Sequence, residues 1–134
     1  MQYVDIDSAF DTYYEAGAFG LTTAKEGLEL TDHTLPYASV YMLPGGEDVL
    51  TNGTSGYDES AGVYQVDLYY PIGAGKGDIL TKGDEIKTHF FTGKRLTNGD
   101  TEIQIQNTDR FPIVNEDDKL RLTLSINWLA QVQR

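Results

Sequence analysis

Residues 119–128, KLRLTLSINW, form the clearest pattern in the sequence. Apolar side chains occupy every second position of this segment, and polar side chains occupy the positions between them. The apolar members are Leu120, Leu122, Leu124, Ile126 and Trp128. Because successive side chains of a β-strand point to opposite faces, this alternation predicts a strand with one buried face and one polar face.

Two more strand patterns lie in the middle of the sequence. Residues 37–43, YASVYML, predict a strand that ends at the Pro-Gly-Gly run of residues 44–46. Residues 63–70, VYQVDLYY, alternate between an apolar side and a mixed side. We expect these two strands to pair in antiparallel fashion across an extended hairpin, with residues 47–61 as a long loop.

Two segments show the spacing of amphipathic helices. In residues 5–16, Ile6 and Phe10 recur at helical spacing, and Gly17 marks the expected end of the helix. The second helix has Asp78 as its expected N-cap. Its apolar stripe consists of Ile79, Gly83, Ile86 and Phe90. The glycine in this stripe would allow the helix to approach the sheet closely.

The remaining segments are extended. Residues 102–106 alternate, and residues 111–114 predict a short edge piece because their proline cannot donate to a ladder. Residues 20–36 lack a period and predict a looped or extended crossing. The predicted order is α-β-β-α-β-β, which indicates an α+β fold: an antiparallel or mixed sheet of roughly four to five strands with two helices packed on one face. We expect residues 1–134 to form a single domain.

The composition excludes several classes of protein. The net charge is −11, and the 10 basic residues are scattered among 21 acidic ones, so the clustered cations of a duplex-binding protein are missing. The sequence contains no cysteine, which excludes disulfides and thiolate zinc sites. No apolar run reaches the roughly 18–20 residues of a membrane span. The acidic first residues do not resemble a secretory signal, so we expect a cytosolic protein or a particle component assembled there.

The sequence shows no motif that would support catalysis or cofactor binding. The glycine-rich loop at residues 73–77 separates a strand from a helix, but its spacing fits neither a Walker A loop nor a dinucleotide fingerprint. His33 and His89 lie far apart in the sequence and have no partner at metal-ligand spacing. We therefore predict no catalytic, cofactor-binding or metal-binding residues.

The tyrosines are candidates for an interaction surface. Tyr37, Tyr41 and Tyr69 fall on strand faces opposite the predicted core. If helices cover only one face of the sheet, these side chains lie exposed, and a second subunit is a natural cover for them. A sheet that is covered on both sides within one chain is the alternative.

The order of the elements matches a known family. The resemblance rests on five features of this sequence. They are the N-terminal helix with Phe10, the strands at residues 37–44 and 63–71, the helix that runs through Phe90, and the C-terminal strand that ends at Trp128. In length and element order the chain resembles the small tail terminator proteins of long-tailed bacteriophages, the lambda-type group also called tail completion or minor tail proteins.

The resemblance implies a structural virion protein without enzymatic activity. Such a protein forms a hexameric ring that caps the tail tube, ends tube polymerisation and presents the head-joining surface. The implied partners are other copies of the chain, the tail tube protein and a head–tail connector or neck protein. The implied location is the tail or neck of a virion assembled in the host cytoplasm. DNA would pass an acidic ring without being held, because like charges repel.

The least patterned segments suit docking in such an assembly, together with the strand tyrosines. The predicted partner-contact residues are Tyr37, Tyr41, Glu47, Asp48, Tyr57, Asp58, Glu59, Tyr69, Gly73, Gly75 and Gly77. Two alternatives stay open. One is a different neck or head–tail connector component, and the other is a small cytosolic ligand-binding or enzymatic domain that uses residues 73–77.

Overall fold

The computed structural model describes residues 3–25, 35–49, 57–98, 101–116 and 118–133. The chain begins with helix α1 (Tyr3–Ala16) and continues with strands β1 (Thr22–Lys25), β2 (Tyr37–Val49) and β3 (Tyr57–Pro71). A short 3-10 helix (Ile72–Ala74) leads into helix α2 (Gly77–His89). The last elements are β4 (Arg95–Asn98), β5 (Thr101–Arg110), β6 (Val114–Glu116) and β7 (Lys119–Gln133).

The strands form one mixed sheet in the order β1-β2-β3-β7-β5-β4, and β6 also pairs with β7. Only the pair of β1 and β2 is parallel among the described strands. The C-terminal strand β7 lies inside the sheet, between β3 on one side and β5 with β6 on the other. The clearest alternation in the sequence therefore belongs to a central strand.

The hydrophobic core lies between the two helices and one face of the sheet. Core side chains from these three sources include Ile6, Phe10, Ile79, Ile86, Leu122, Leu124 and Trp128. The helical stripes and the alternation of β7 are confirmed as the buried surfaces. A Cβ atom at Gly83 would lie 2.7 Å from Cδ2 of Leu122, so the glycine permits the close approach of α2 to the sheet, as predicted.

The sheet is larger than predicted. The sequence indicated four to five strands, but β1 and β4 with 4 residues each and β6 with 3 residues complete a sheet of 7 strands. Strands of this length are too short to show a period. The α+β class is confirmed, whereas the strand count and the order α-β-β-α-β-β are wrong.

Strand β2 does not end at the Pro-Gly-Gly run. It continues to Val49, and its register with β3 shifts between Pro44 and Glu47. One extra residue fits into this bulge. Within the described ranges β1 pairs with Tyr37 to Val40 and Pro44 pairs with β3 alone, a position at which proline is tolerated. The antiparallel hairpin is confirmed. The predicted loop is wrong at residues 47–49 and 57–61, which are strand, and residues 50–56 lie outside the described residues.

The glycine-rich connection between β3 and α2 contains the 3-10 helix. Gly75 has a φ angle of 75°, in the left-handed region that favours glycine, and the chain turns there into α2. Lys76 is the N-cap residue and makes no side-chain capping bond. The prediction that Asp78 caps the helix is wrong, because the helix begins at Gly77. Asp78 lies in the first turn, where its negative charge stabilises the helix by a favourable interaction with the helix dipole.

Candidate functional site

The predicted contact residues fall in three places. The sheet face opposite the helices, here called the outer face, carries Tyr37, Tyr41 and Tyr69. The far ends of β2 and β3, residues 47–49 and 57–60, are here called the hairpin arm and include Glu47, Asp48, Tyr57, Asp58 and Glu59. The connection to α2 holds Gly73, Gly75 and Gly77. The arm and this connection lie at opposite ends of β3, so the structure does not bring them together.

Tyr37 and Tyr69 form the aromatic part of the outer face. They are directly opposed on β2 and β3, and their rings stack at a centroid distance of 4.8 Å. Lys119 of β7 donates a hydrogen bond from Nζ to the Tyr37 hydroxyl at 3.0 Å. The same Nζ lies 5.5 and 5.6 Å from the centroids of the two rings. The expectation that Tyr37 lies exposed is wrong: its side chain is covered by this stack, and the residue is only 6% exposed.

The exposed apolar surface of the outer face lies further along β2. Tyr41 is 37% exposed and Leu43 is 46% exposed. Both precede the bulge that leads into the hairpin arm. The surface that a partner can reach on this face therefore adjoins the arm, and Tyr41 is its aromatic member.

Asp67 organises the middle of the outer face and was missed in the sequence. It lies on β3 and is only 5% exposed. Its carboxylate accepts a 2.7 Å hydrogen bond from the Thr123 hydroxyl and a 3.2 Å hydrogen bond from the Gln65 amide. The sequence did contain a signal for this contact, namely an aspartate at an outward position of an alternating strand. A buried carboxylate needs hydrogen-bond donors, and in a sheet these come from neighbours on the same face. The bond from Thr123 ties β3 to β7, and the bond from Gln65 lies within β3.

The hairpin arm concentrates negative charge. Glu47 and Asp48 lie on β2, and Asp58 and Glu59 lie on β3. In the register of the hairpin, Asp48 is directly opposite Glu59. The hairpin arm thus brings four acidic residues of the sequence to one end of the sheet.

A groove separates α1 from the edge strand β4. Its volume is about 380 Å³. The helix lines it mainly with small side chains, from Ser8, Ala9, Thr12 and Ala16. Residues 94–98 form the opposite wall. The groove is therefore bounded by a strand whose outer backbone edge has no partner among the described strands.

The basic side chains beside this groove come from the only adjacent basic pair in the sequence, Lys94 and Arg95. Arg95 forms an ion pair with Glu102 at 2.5 Å, and its side chain is 65% exposed. Nζ of Lys94 lies 5.3 Å from the centroid of the Tyr13 ring. The charge of Arg95 is therefore balanced by the Glu102 carboxylate, and Lys94 lies over an aromatic ring.

Tyr13 and His89 join the ends of the two helices. The Tyr13 hydroxyl donates to the His89 carbonyl at 2.6 Å, and Nε2 of His89 donates to the Tyr13 carbonyl at 2.7 Å. Their rings stack at 3.9 Å, and burial raises the pKa of Tyr13. Because a carbonyl only accepts, Nε2 carries a proton, and His89 serves as a structural contact. His33, the other histidine, lies outside the described residues.

The described residues contain no group of three or more histidine or acidic side chains that could hold a metal ion. Within the same ranges, none of the helices is long and apolar enough to span a membrane. The side chains on the outer face and at the two sheet edges are aromatic, acidic and basic. This arrangement is chemically suited to contacts between proteins.

Comparison with known families identifies the chain. Residues 5–128 match the family model described as phage tail terminator protein. The chain belongs to the phage tail terminator family. Its role is therefore structural, as a component of the phage tail that interacts with other tail or head proteins. The expected family is confirmed over nearly the whole chain.

The fold of this tail terminator family member has solved counterparts. One solved structure covers 98% of this chain and 96% of its own chain, with a TM-score of 0.78 and 20% sequence identity. At that identity the likeness shows the fold alone. None of the curated proteins matches the sequence.

Proposed function

We propose that this chain caps the phage tail tube as a hexameric ring, ends the polymerisation of the tube protein and forms the surface that joins the head. The observation that carries the proposal is the family match over residues 5–128. The protein acts by shape and assembly and not by catalysis. Its site is the exposed surface that meets other proteins, and not a pocket.

A tube terminator needs two unlike surfaces. One must fit the last ring of the tube, and the other must refuse a further tube subunit, so specificity arises from the difference between the two. The acidic hairpin arm and the exposed part of the outer face around Tyr41 offer surfaces of different chemistry. We place the contact with the tube or the neck protein on these surfaces, together with the glycine-rich connection at Gly73, Gly75 and Gly77.

The negative charge of the chain gains a use in such a ring. With a net charge of −11 per copy, the wall of a ring would repel DNA that passes through it. DNA is then a polymer in transit and not a ligand. We therefore expect little affinity of the isolated protein for duplex DNA at physiological salt.

Tail length is the decisive measurement. A phage that lacks this gene should make tails of irregular, excessive length, because nothing stops tube growth, and the gene supplied in trans should restore uniform tails. Electron microscopy of lysates gives the length distribution directly. Loss of a different neck or connector component would leave tails of normal length that fail to join heads. Uniform tails in the deletion phage would contradict the proposed function.

A further inference from the structure

A second groove lies on the helix side of the sheet, next to the glycine-rich connection. Its volume is about 620 Å³, and we call it the end groove. One wall is the start of α2 with Lys76 and Leu80, and the other wall is the segment of residues 110–113. The first part of β7, with Leu120, forms its floor. All of these residues lie within the described ranges.

The end groove is apolar and open to solvent. Phe111 stands at its rim with 48% of the residue exposed. Leu80, Ile113 and Leu120 are partly buried and pack against the hydrophobic core, so the floor of the groove continues the core to the surface. Exposed apolar surface of this kind marks a site for contact with another protein.

The walls of the end groove are fixed to the rest of the fold. Arg110 forms an ion pair with Asp84 of α2, which joins the segment of residues 110–113 to the helix. The backbone N–H of Phe111 donates a 3.0 Å hydrogen bond to the Thr123 carbonyl of β7. The groove is therefore preformed, and a ligand that enters it does not have to order its walls.

The charge of the end groove comes from Lys76. Arg110, the other cation that lines the groove, is balanced by Asp84. Lys76 is exposed and forms no ion pair with any residue that the structure describes. Asp78 does not belong to the groove lining. An apolar groove with one exposed ammonium group suits a protein segment that presents an apolar side chain beside a carboxylate.

The end groove is well separated from the outer face and the hairpin arm. Its floor residue Leu122 lies about 26 Å of extended strand away from Ala130, which pairs with Ser60 of the arm. Tyr41 lies on the outer face, whereas the groove lies on the helix side of the sheet. The chain thus offers two surfaces of unlike chemistry, as a protein that meets the tube on one side and the head on the other requires.

We infer that the end groove is the docking surface for the head-side partner, which inserts an apolar side chain beside Phe111 and brings a carboxylate to Lys76. This inference rests on the proposed function and on the placement of the tube contact around Tyr41. It assigns the outer face to the tube and the helix side of the sheet to the head.

Tails assembled with groove variants test the inference. A phage that lacks the gene is complemented with Phe111→Asp, and its tails are purified and mixed with purified heads of the same phage. Tail length should be normal, which shows that the variant is folded and seated on the tube. The yield of joined particles should fall by roughly tenfold or more, because the groove would then have to accept a charge in an apolar contact.

Phe91→Asp is the matched control. Phe91 is an aromatic residue with 52% exposure that follows α2 and does not line the end groove. Tails with Phe91→Asp should have normal length and join heads like the wild type. An equal loss of joining by both variants would show that the effect does not come from the groove, and the inference would be wrong.

Lys76 tests the chemistry of the partner. Lys76→Gln should slow head joining severalfold at low salt, and its rate should converge with that of the wild type as added salt screens the charge pair. Lys76→Arg keeps the charge and should keep the rate. A salt dependence that is the same for Lys76→Gln and the wild type would contradict the predicted carboxylate.

The remaining outcomes separate this inference from the proposed function. Normal head joining by Phe111→Asp overturns the inference. Overlong tails with Phe111→Asp overturn it as well, because the groove would then contact the tube or a neighbouring copy. The proposed function stands in both cases. Uniform tails in the phage that lacks the gene would instead contradict the proposed function itself.

Discussion

Gly62 and Trp128 are directly opposed on β3 and β7, and the indole ring fills the space beside the glycine. A Cβ atom at position 62 would lie 2.5 Å from Cζ2 of Trp128 and 2.7 Å from the carbonyl oxygen of Leu43. The same indole lies 5.9 Å from the Phe10 ring of α1. The absence of a side chain at Gly62 is therefore a condition for the packing of the sheet against the first helix.

Gly62→Ala should destabilise the protein by about 1–3 kcal/mol, because overpacking forces a buried ring and a strand backbone to move. Urea denaturation measures the free energy of unfolding. Gly73→Ala is the matched control, since a Cβ there would meet nothing within 4 Å. Equal stability of the two variants would contradict this account of the close approach.

The hydrogen bond between Thr123 and the Asp67 carboxylate leads to a second prediction. Thr123→Val removes the 2.7 Å donor while it keeps the shape of the side chain. The carboxylate keeps the longer bond from Gln65 but loses its shortest one, so the free energy of unfolding should fall by about 1–2 kcal/mol. Ser125→Ala on the same face of β7 is the control and should change stability by less than about 0.5 kcal/mol. A neutral Thr123→Val would show that water replaces the hydroxyl without loss.

The longer elements of the fold could be predicted because each carries its own period. The alternation of residues 119–128 and the helical stripe with Ile79 and Ile86 correspond to buried surfaces. Strands β1, β4 and β6 are too short to have a period and are held by their neighbours in the sheet. The prediction that β2 ends at the Pro-Gly-Gly run was wrong because proline stops a central strand but is tolerated at a bulge on an edge strand.

The candidate surface was only partly predictable for a related reason. The alternation of the strands correctly places Tyr37, Tyr41 and Tyr69 on one face. How exposed a side chain is depends on its neighbours on adjacent strands, which can be distant in sequence. Lys119 is such a neighbour and covers Tyr37. Lys94 and Arg95 are visible in the sequence as an adjacent basic pair, but their place beside the end strand β4 and the pairing of Arg95 with Glu102 follow only from the structure.

Because of Tyr64, we expect the free energy of unfolding to fall at alkaline pH. Burial raises the pKa of its hydroxyl far above the ordinary value, and the 2.7 Å hydrogen bond to Asp11 and the charge of that carboxylate raise it further. In the unfolded chain a tyrosine ionises near pH 10, as reference peptides do. The stabilising contribution is therefore complete below about pH 10 and declines as the pH rises above it, because the unfolded chain releases the proton first.

Urea denaturation between about pH 8 and pH 11 measures this decline. Tyr64→Phe should flatten it without abolishing it, because burial also raises the pKa values of Tyr14 and Tyr70. The variant should also be less stable by about 0.5–1.5 kcal/mol near neutral pH through loss of the hydrogen bond to Asp11. A slope identical to that of the wild type would contradict the assignment to Tyr64.

A substitution at Tyr41 can distinguish a role of this residue in assembly from a role in folding. Tyr41 is 37% exposed on the outer face beside the hairpin arm, so Tyr41→Asp removes some buried surface and should lower the free energy of unfolding by about 1–2 kcal/mol, which leaves the protein folded. If a partner covers this face, a desolvated aspartate there should weaken tube capping by roughly tenfold or more.

The measurement is the fraction of tails with normal length when the variant complements a phage that lacks the gene. Phe111→Asp is the control, because Phe111 is also an exposed aromatic residue but lies outside the predicted contact set. Loss of capping by Tyr41→Asp with normal capping by Phe111→Asp would support the contact on the outer face. Normal capping by Tyr41→Asp would show that this part of the sheet remains free in the assembled tail and that the contact lies elsewhere.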